Sequence, residues 1–132
     1  MASICGYHHV AIRTRDFDKS LAFYRQVLGS EIHRLWGEGD HRGVLLTLGN
    51  GNLLELLASD ALATGPDDVL IHFALATDDV PGMVDRAVAA GAEVASAYKT
   101  LDIQAEPSPF RGCNAFIKGP DGELVEFFQE LS

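Results

Sequence analysis

Cysteine is scarce in these 132 residues. Cys5 and Cys113 stand far apart, without Cys-x-x-Cys spacing, which excludes a disulfide-stapled miniprotein and leaves two free thiols as the expectation. Long apolar runs are missing too: no stretch approaches the ~20 uncharged apolar residues of a membrane span. Nor does any segment have the makeup of a signal peptide, so a cytoplasmic location is expected. Basic residues are few, ten Lys and Arg against nineteen Asp and Glu, for a net charge of −9. That balance argues against nucleic acid or an anionic membrane as the main partner, because both require a basic patch. What is present is an apolar content of 47 %, spread along the chain, which excludes disorder and fits one globular domain over residues 1–132.

The segment Tyr7 to Thr14 is mostly aromatic and β-branched, and predicts a strand. Asp16 then offers an N-cap, and Phe17, Leu21, Phe23/Tyr24, Val27 and Leu28 recur at helical spacing before Gly29, which marks the stop. Three short strands follow, Glu31 to Trp36, Gly43 to Leu48 and Asn52 to Leu57, the last two split by the turn Gly49-Asn50-Gly51. Ser59 to Asp68 reads as a linker. Val69 to Ala76 restarts a strand, Asp79 repeats the cap, Val84, Ala87, Val88 and Gly91 repeat the helix, and Glu93 to Tyr98 repeats the next strand. Leu101 to Gly112 reads as irregular, and Asn114 to Lys118 and Glu123 to Gln129 as two strands around Gly119-Pro120-Asp121-Gly122.

The two halves share more than element order. His9-Val10-Ala11-Ile12 matches His72-Phe73-Ala74-Leu75, Asp16 matches Asp79, Glu31-Ile32 matches Glu93-Val94, and Gly51 to Leu57 matches Gly122 to Phe128. Matches that fall in chain order predict a duplicated module, the first copy over about 5–58, the linker over about 59–68 and the second copy over about 69–131.

The duplication pairs His9 with His72 and Glu55 with Glu126. Glu55 sits in Leu-Leu-Glu-Leu-Leu and Glu126 in Leu-Val-Glu-Phe-Phe. A bare carboxylate on such a strand costs several kcal/mol to desolvate unless it is paired, protonated or metal-bound. Strand alternation puts Val10 and Ile12 against the helix and leaves His9, Ala11 and Arg13 on the other face, with His72, Ala74 and Ala76 equivalent to them. His8 is expected to point away from that face. Small residues beside each histidine leave room for an ion and a ligand. Two imidazoles and two carboxylates suit Ni, Co, Zn, Mn or Fe as a divalent ion with open positions for substrate.

The run His9-Val10-Ala11-Ile12, then Asp16, then Leu21 to Gly29, resembles the opening of the vicinal oxygen chelate superfamily, and Asn114 to Gly122 through Glu126 resembles its last hairpin. That superfamily includes glyoxalase I, methylmalonyl-CoA epimerase, fosfomycin-resistance proteins and extradiol dioxygenases. The resemblance implies an α+β fold in which two βαβββ modules form a curved sheet around one metal site. It assigns the ligand positions to His9, Glu55, His72 and Glu126.

A full His-Glu-His-Glu set is most similar to that of the bacterial glyoxalase I branch. The implied activity is a lyase or isomerase reaction, with proton transfer through an enediolate held at one divalent metal, Ni, Co or Zn first and Mn or Fe next. Glu126 would be the principal base and Glu55 a ligand and second acid/base. The implied substrate is a small molecule, a glutathione hemithioacetal, with Arg13 and Arg111 as its anion contacts. The asparagine that branch carries four residues beyond its Glu ligand is Ser59 here. Other reactions of the superfamily, epimerisation or ring cleavage, share the site, and a metal-free binding module shares the sheet. A homodimer is implied by resemblance alone. Whether the modules pair within one chain or between two is left open by the sequence.

Overall fold

The computed structural model describes residues 2–59, 70–119, 122 and 124–131. The expected linker beyond Ser59, the start of the strand at Val69, the centre of the Gly119–Gly122 turn, and Glu123 lie outside the described residues.

Chain order is β1 (Ile4–Thr14), α1 (Phe17–Leu28), β2 (Ile32–Trp36), β3 (Gly43–Gly49), β4 (Asn52–Ala58), β5 (Leu70–Thr77), α2 (Val80–Ala89), β6 (Glu93–Ile103), β7 (Phe110–Lys118) and β8 (Leu124–Glu130), with one 3-10 turn at Gly39–His41. Both expected caps are in place. The Asp16 carboxylate accepts from the Lys19 N–H, that of Asp79 accepts from the Gly82 N–H, and Gly29 ends α1 at φ 66°, a conformation that favours glycine.

Each half is βαβββ, and the halves join edge to edge into one eight-stranded sheet of order β2-β3-β4-β1-β5-β8-β7-β6. The middle carries the pseudo-symmetry. β1 and β5 run antiparallel, and each has its own module's last strand, β4 or β8, parallel on its outer side. All eight strands of this sheet come from the one chain. The sheet curls until its far edges approach, where Leu35 and Glu106 exchange backbone hydrogen bonds of 2.9 and 2.8 Å.

The helices cover the convex face. Phe17 packs there with Val44, Leu46 and Leu56, joined by Leu21 and Tyr24, while Val80 and Met83 of α2 pack on Cys113, Ala115 and Phe127. Of the apolar positions expected to form the α1 face, Phe23, Val27 and Leu28 are instead exposed, because one helix stripe suffices to cover the strands. Inside the curl, Leu45, Leu53, Ala74, Phe110 and Phe128 form a second buried cluster, with Trp36 stacked on Phe110 at 6.0 Å.

The expected irregular stretch Leu101 to Gly112 is strand at both ends and irregular only over residues 104–109. β6 continues to Ile103 and β7 begins at Phe110, with Ile103 paired to Phe110. Pro107 and Pro109 confine the break to the short connection between them. No helix among the described residues is long and apolar enough to cross a membrane.

Candidate metal centre

Register brings the duplicated residues together. Ala11 of β1 is opposite both Glu55 on β4 and His72 on β5, and Ala74 of β5 is opposite both His9 on β1 and Glu126 on β8. Two rows result, each with a carboxylate, an alanine and an imidazole on the concave face. Ala11 and Ala74 are fully buried, and their small side chains let the four larger ones lean inward over them.

The distances show that inward lean. Nε2 of His9 and of His72 lie 3.1 and 2.9 Å from Glu126 Oε1, and 3.4 Å from one another. Glu55 Oε1 stands 3.6 Å from His9 Nε2. Donor atoms of His9, His72 and Glu126 all lie within 4.8 Å of one another, the one group of this kind among the described residues. Glu126 Oε1 is buried and, despite the close imidazoles, has no hydrogen-bond partner of acceptable geometry. Two imidazole nitrogens and a carboxylate oxygen that converge this closely, in poor geometry for hydrogen bonds, fit a cation between them. Such an ion would take His9, His72 and Glu126 directly, with Glu55 at the fourth side.

Burial pushes the His9 imidazole pKa down against the pull of Glu126, favouring the neutral form a ligand needs. Burial alone would raise Glu126, but the adjoining imidazoles and the Asn114 amide, which donates to Oε2 at 2.7 Å, outweigh it and hold that carboxyl at about 2. Glu55 goes the other way: burial, then the charge of Glu126, raise it to about 8. The pair is thus split, one carboxylate ionised and one protonated at neutral pH.

The split has a measurable sign. Without metal, folded Glu55 keeps a proton that the unfolded chain releases above its ordinary value of 4.5, so Glu55 makes stability fall as pH rises from 4.5 to about 8. Glu55→Gln removes that contribution. Melting curves in chelator at pH 5 and pH 8.5 are expected to show a smaller loss of Tm in the variant than in the wild type.

Arg13 follows Ala11 on the same face of β1, opposite Leu57, half-buried and roughly 13 Å along the strand from His9. Arg111 is not brought to the cluster. Its strand alternates regularly against β8: Asn114 and Phe116 face the ligands, Phe116 against the His72 ring at 5.0 Å, while Cys113 and Ala115 face α2. Arg111 shares the parity of Cys113, is exposed and pairs with Asp102 on the sheet edge. Cys113 itself is a buried free thiol and Cys5 an exposed one.

His8 corrects a second expectation. A β-bulge between Tyr7 and His9 inserts His8 as an extra residue, and its ring turns to the concave side beside His9. Period-two alternation alone hides this. Asn114 and Phe128 were also missed as neighbours of the centre, although their parity with Phe116 and Glu126 was readable once β7 and β8 were in register.

A curled sheet of two βαβββ modules with paired His and Glu at its centre defines the vicinal oxygen chelate type of fold. The sequence profile of the Glyoxalase/Bleomycin resistance protein/Dioxygenase superfamily matches residues 6–127, and the chain belongs to that superfamily. A probable lactoylglutathione lyase of Vibrio cholerae is 31 % identical over 92 % of this chain and 88 % of its own length. The lactoylglutathione lyase GLX1 of Arabidopsis thaliana is 30 % identical over 92 % of this chain and 43 % of its own. Among solved structures, the methylmalonyl-CoA epimerase of Mycobacterium tuberculosis superposes with TM-score 0.71 at 18 % identity, covering 98 % of this chain and 90 % of that one. A Mn(II)-bound glyoxalase from Novosphingobium aromaticivorans gives 0.69 at 24 %, covering 98 % and 40 %. These two likenesses bear on the fold.

Proposed function

We propose that the protein is a divalent-metal-dependent lyase or isomerase of the glyoxalase I kind, moving a proton beside a carbonyl, with a glutathione hemithioacetal as substrate. The observation that carries this reading is the convergence of His9, His72 and Glu126 with Glu55 beside them. Identity to lactoylglutathione lyases over most of the chain supports it.

The residues His9, Glu55, His72 and Glu126 would hold the ion, with Ni, Co or Zn favoured by the mixed imidazole and carboxylate set and Mn or Fe next. When bound, the ion supplies a Lewis acid for the vicinal oxygens of the substrate. The chain's own residues supply the proton chemistry. Glu126, whose carboxylate lies between the two imidazoles, is the base placed to accept the proton from carbon. Glu55, 3.6 Å from the His9 imidazole, is the second acid/base. Phe116 and Phe128 wall the imidazoles with apolar rings, which limits water at the reacting carbon. Arg13 is the cation on the same face, a contact for a substrate carboxylate. A homodimer and a cytoplasmic location complete the reading.

Epimerisation uses the same proton transfer, and its fold likeness makes it the reading to test in parallel. Protein reconstituted with Ni, Co or Zn is expected to turn over methylglyoxal with glutathione. Exchange of the methylmalonyl-CoA α-proton without that turnover would assign the epimerase reaction instead, and catechol-dependent oxygen uptake with Fe(II) or Mn(II) would assign the dioxygenase.

A further inference from the structure

Beside the centre lies a second set of ionisable groups that the proposed reaction does not use. His8 Nδ1 is 2.7 Å from Nδ1 of His9, His8 Nε2 is 2.9 Å from Glu130 Oε1, and His33 Nε2 is 2.8 Å from Glu130 Oε2. The backbone places these groups by the same device twice. His8 is the extra residue of a bulge in β1, His33 that of a bulge in β2, and each bulge turns its imidazole toward the end of β8. The His8 ring also lies 4.3 Å from Phe128, which fixes its plane. All three line a cavity of about 360 Å³ with Thr47, Asn52 and Leu53.

Because each imidazole takes a different carboxylate oxygen, the trio spreads apart and forms no second ion site. Its geometry is directional instead. For His9 to offer the Nε2 lone pair toward His72 and Glu126, its single proton must sit on Nδ1. At 2.7 Å the acceptor there is His8 Nδ1, which must then be bare, and the His8 proton must be on Nε2. That proton meets Glu130 Oε1. The opposite arrangement, in which neutral His8 donates from Nδ1, would set a bare Nε2 against a carboxylate oxygen at 2.9 Å and force His9 Nε2 to carry the proton. The negative charge of Glu130 selects between the two.

We propose that His8 and Glu130 are positioning residues of the metal centre: Glu130 fixes the tautomer of His8, and His8 fixes that of His9, so that the His9 Nε2 lone pair is aimed at the ion. His33 holds the second oxygen of Glu130 from the far side of the curl. The proposal rests on the metal-binding reading of His9, His72 and Glu126.

The test is Zn(II) affinity, measured by competition with a chromophoric chelator on the full chain. His8→Phe keeps the packing on Phe128 and removes the acceptor. It is expected to weaken Zn(II) binding by about 10- to 100-fold, the range found when partners of metal-bound imidazoles are removed. His8→Asn returns an acceptor oxygen near the position of Nδ1 and is expected to restore most of the affinity. Metal-free melting curves of both variants keep folding separate from binding. If His8→Phe binds Zn(II) like the wild type, or if the Asn variant is as weak as the Phe variant, the proposal is overturned. Should His8→Phe fail to fold, Glu130→Leu carries the test: a loss of about tenfold supports the proposal, and unchanged affinity overturns it. A wild-type chain that binds no Zn(II) defeats the metal reading itself, and that result is visible before any variant is compared.

Discussion

Replacing Glu126 by Gln is expected to lower kcat by about 10²- to 10⁴-fold, the usual worth of a positioned acid or base, and to weaken metal binding with it. Both effects trace to one oxygen. Oε1 faces two imidazoles and has no hydrogen bond, while Oε2 is tied to Asn114, so the carboxylate stands ready both to charge-balance a cation and to take a proton. An amide matches the shape but not the charge or the basicity. Steady-state kinetics at saturating metal separate the two losses. Activity of Glu126→Gln restored to the wild-type level by excess metal would show that Glu126 serves only as a ligand.

Arg13→Met is expected to lower kcat/KM by about 30-fold or more, mainly through KM, since breaking one half-buried charge contact costs at least about 2 kcal/mol. A loss in KM with little change in kcat is the mark of a group that binds substrate and transition state alike. Arg111→Met is the internal control, because that side chain lies on the α2 side of the sheet, and its kinetics are expected to match the wild type. Matching kinetics for both variants would remove Arg13 from the site, and with it the support for an anionic substrate. The long-range field sharpens this expectation: with a net charge of −9, attraction for an anion has to be local.

Much of this architecture was legible in the chain. The caps Asp16 and Asp79 and the stop at Gly29 marked both helices, and the match of His9 with His72 and of Glu55 with Glu126 exposed the duplication. Carboxylates inside apolar strands demanded a partner, and register supplies it across Ala11 and Ala74. What stayed hidden follows from interactions no local pattern encodes. Alternation assigns His8 to the convex side, yet a single inserted residue reverses it, and His33 is turned by the same means. Pro107 and Pro109 suggested a long irregular segment, yet pairing with β7 extends β6 to Ile103. Arg111 was chosen by resemblance, while its facing is fixed by the register of β7 on β8, which only the assembled sheet displays. The role of Glu130 needed two bulges and a distant strand at once.

The most direct measurement is the stoichiometry of a reconstituted centre: chelator-stripped protein titrated with Co(II), followed by its visible spectrum and by elemental analysis after gel filtration. One tightly held ion per chain, with the spectrum lost on His72→Ala and on Glu126→Gln, is the predicted result. Binding that never saturates, or a stoichiometric ion that remains when both His9 and His72 are replaced, would contradict the account.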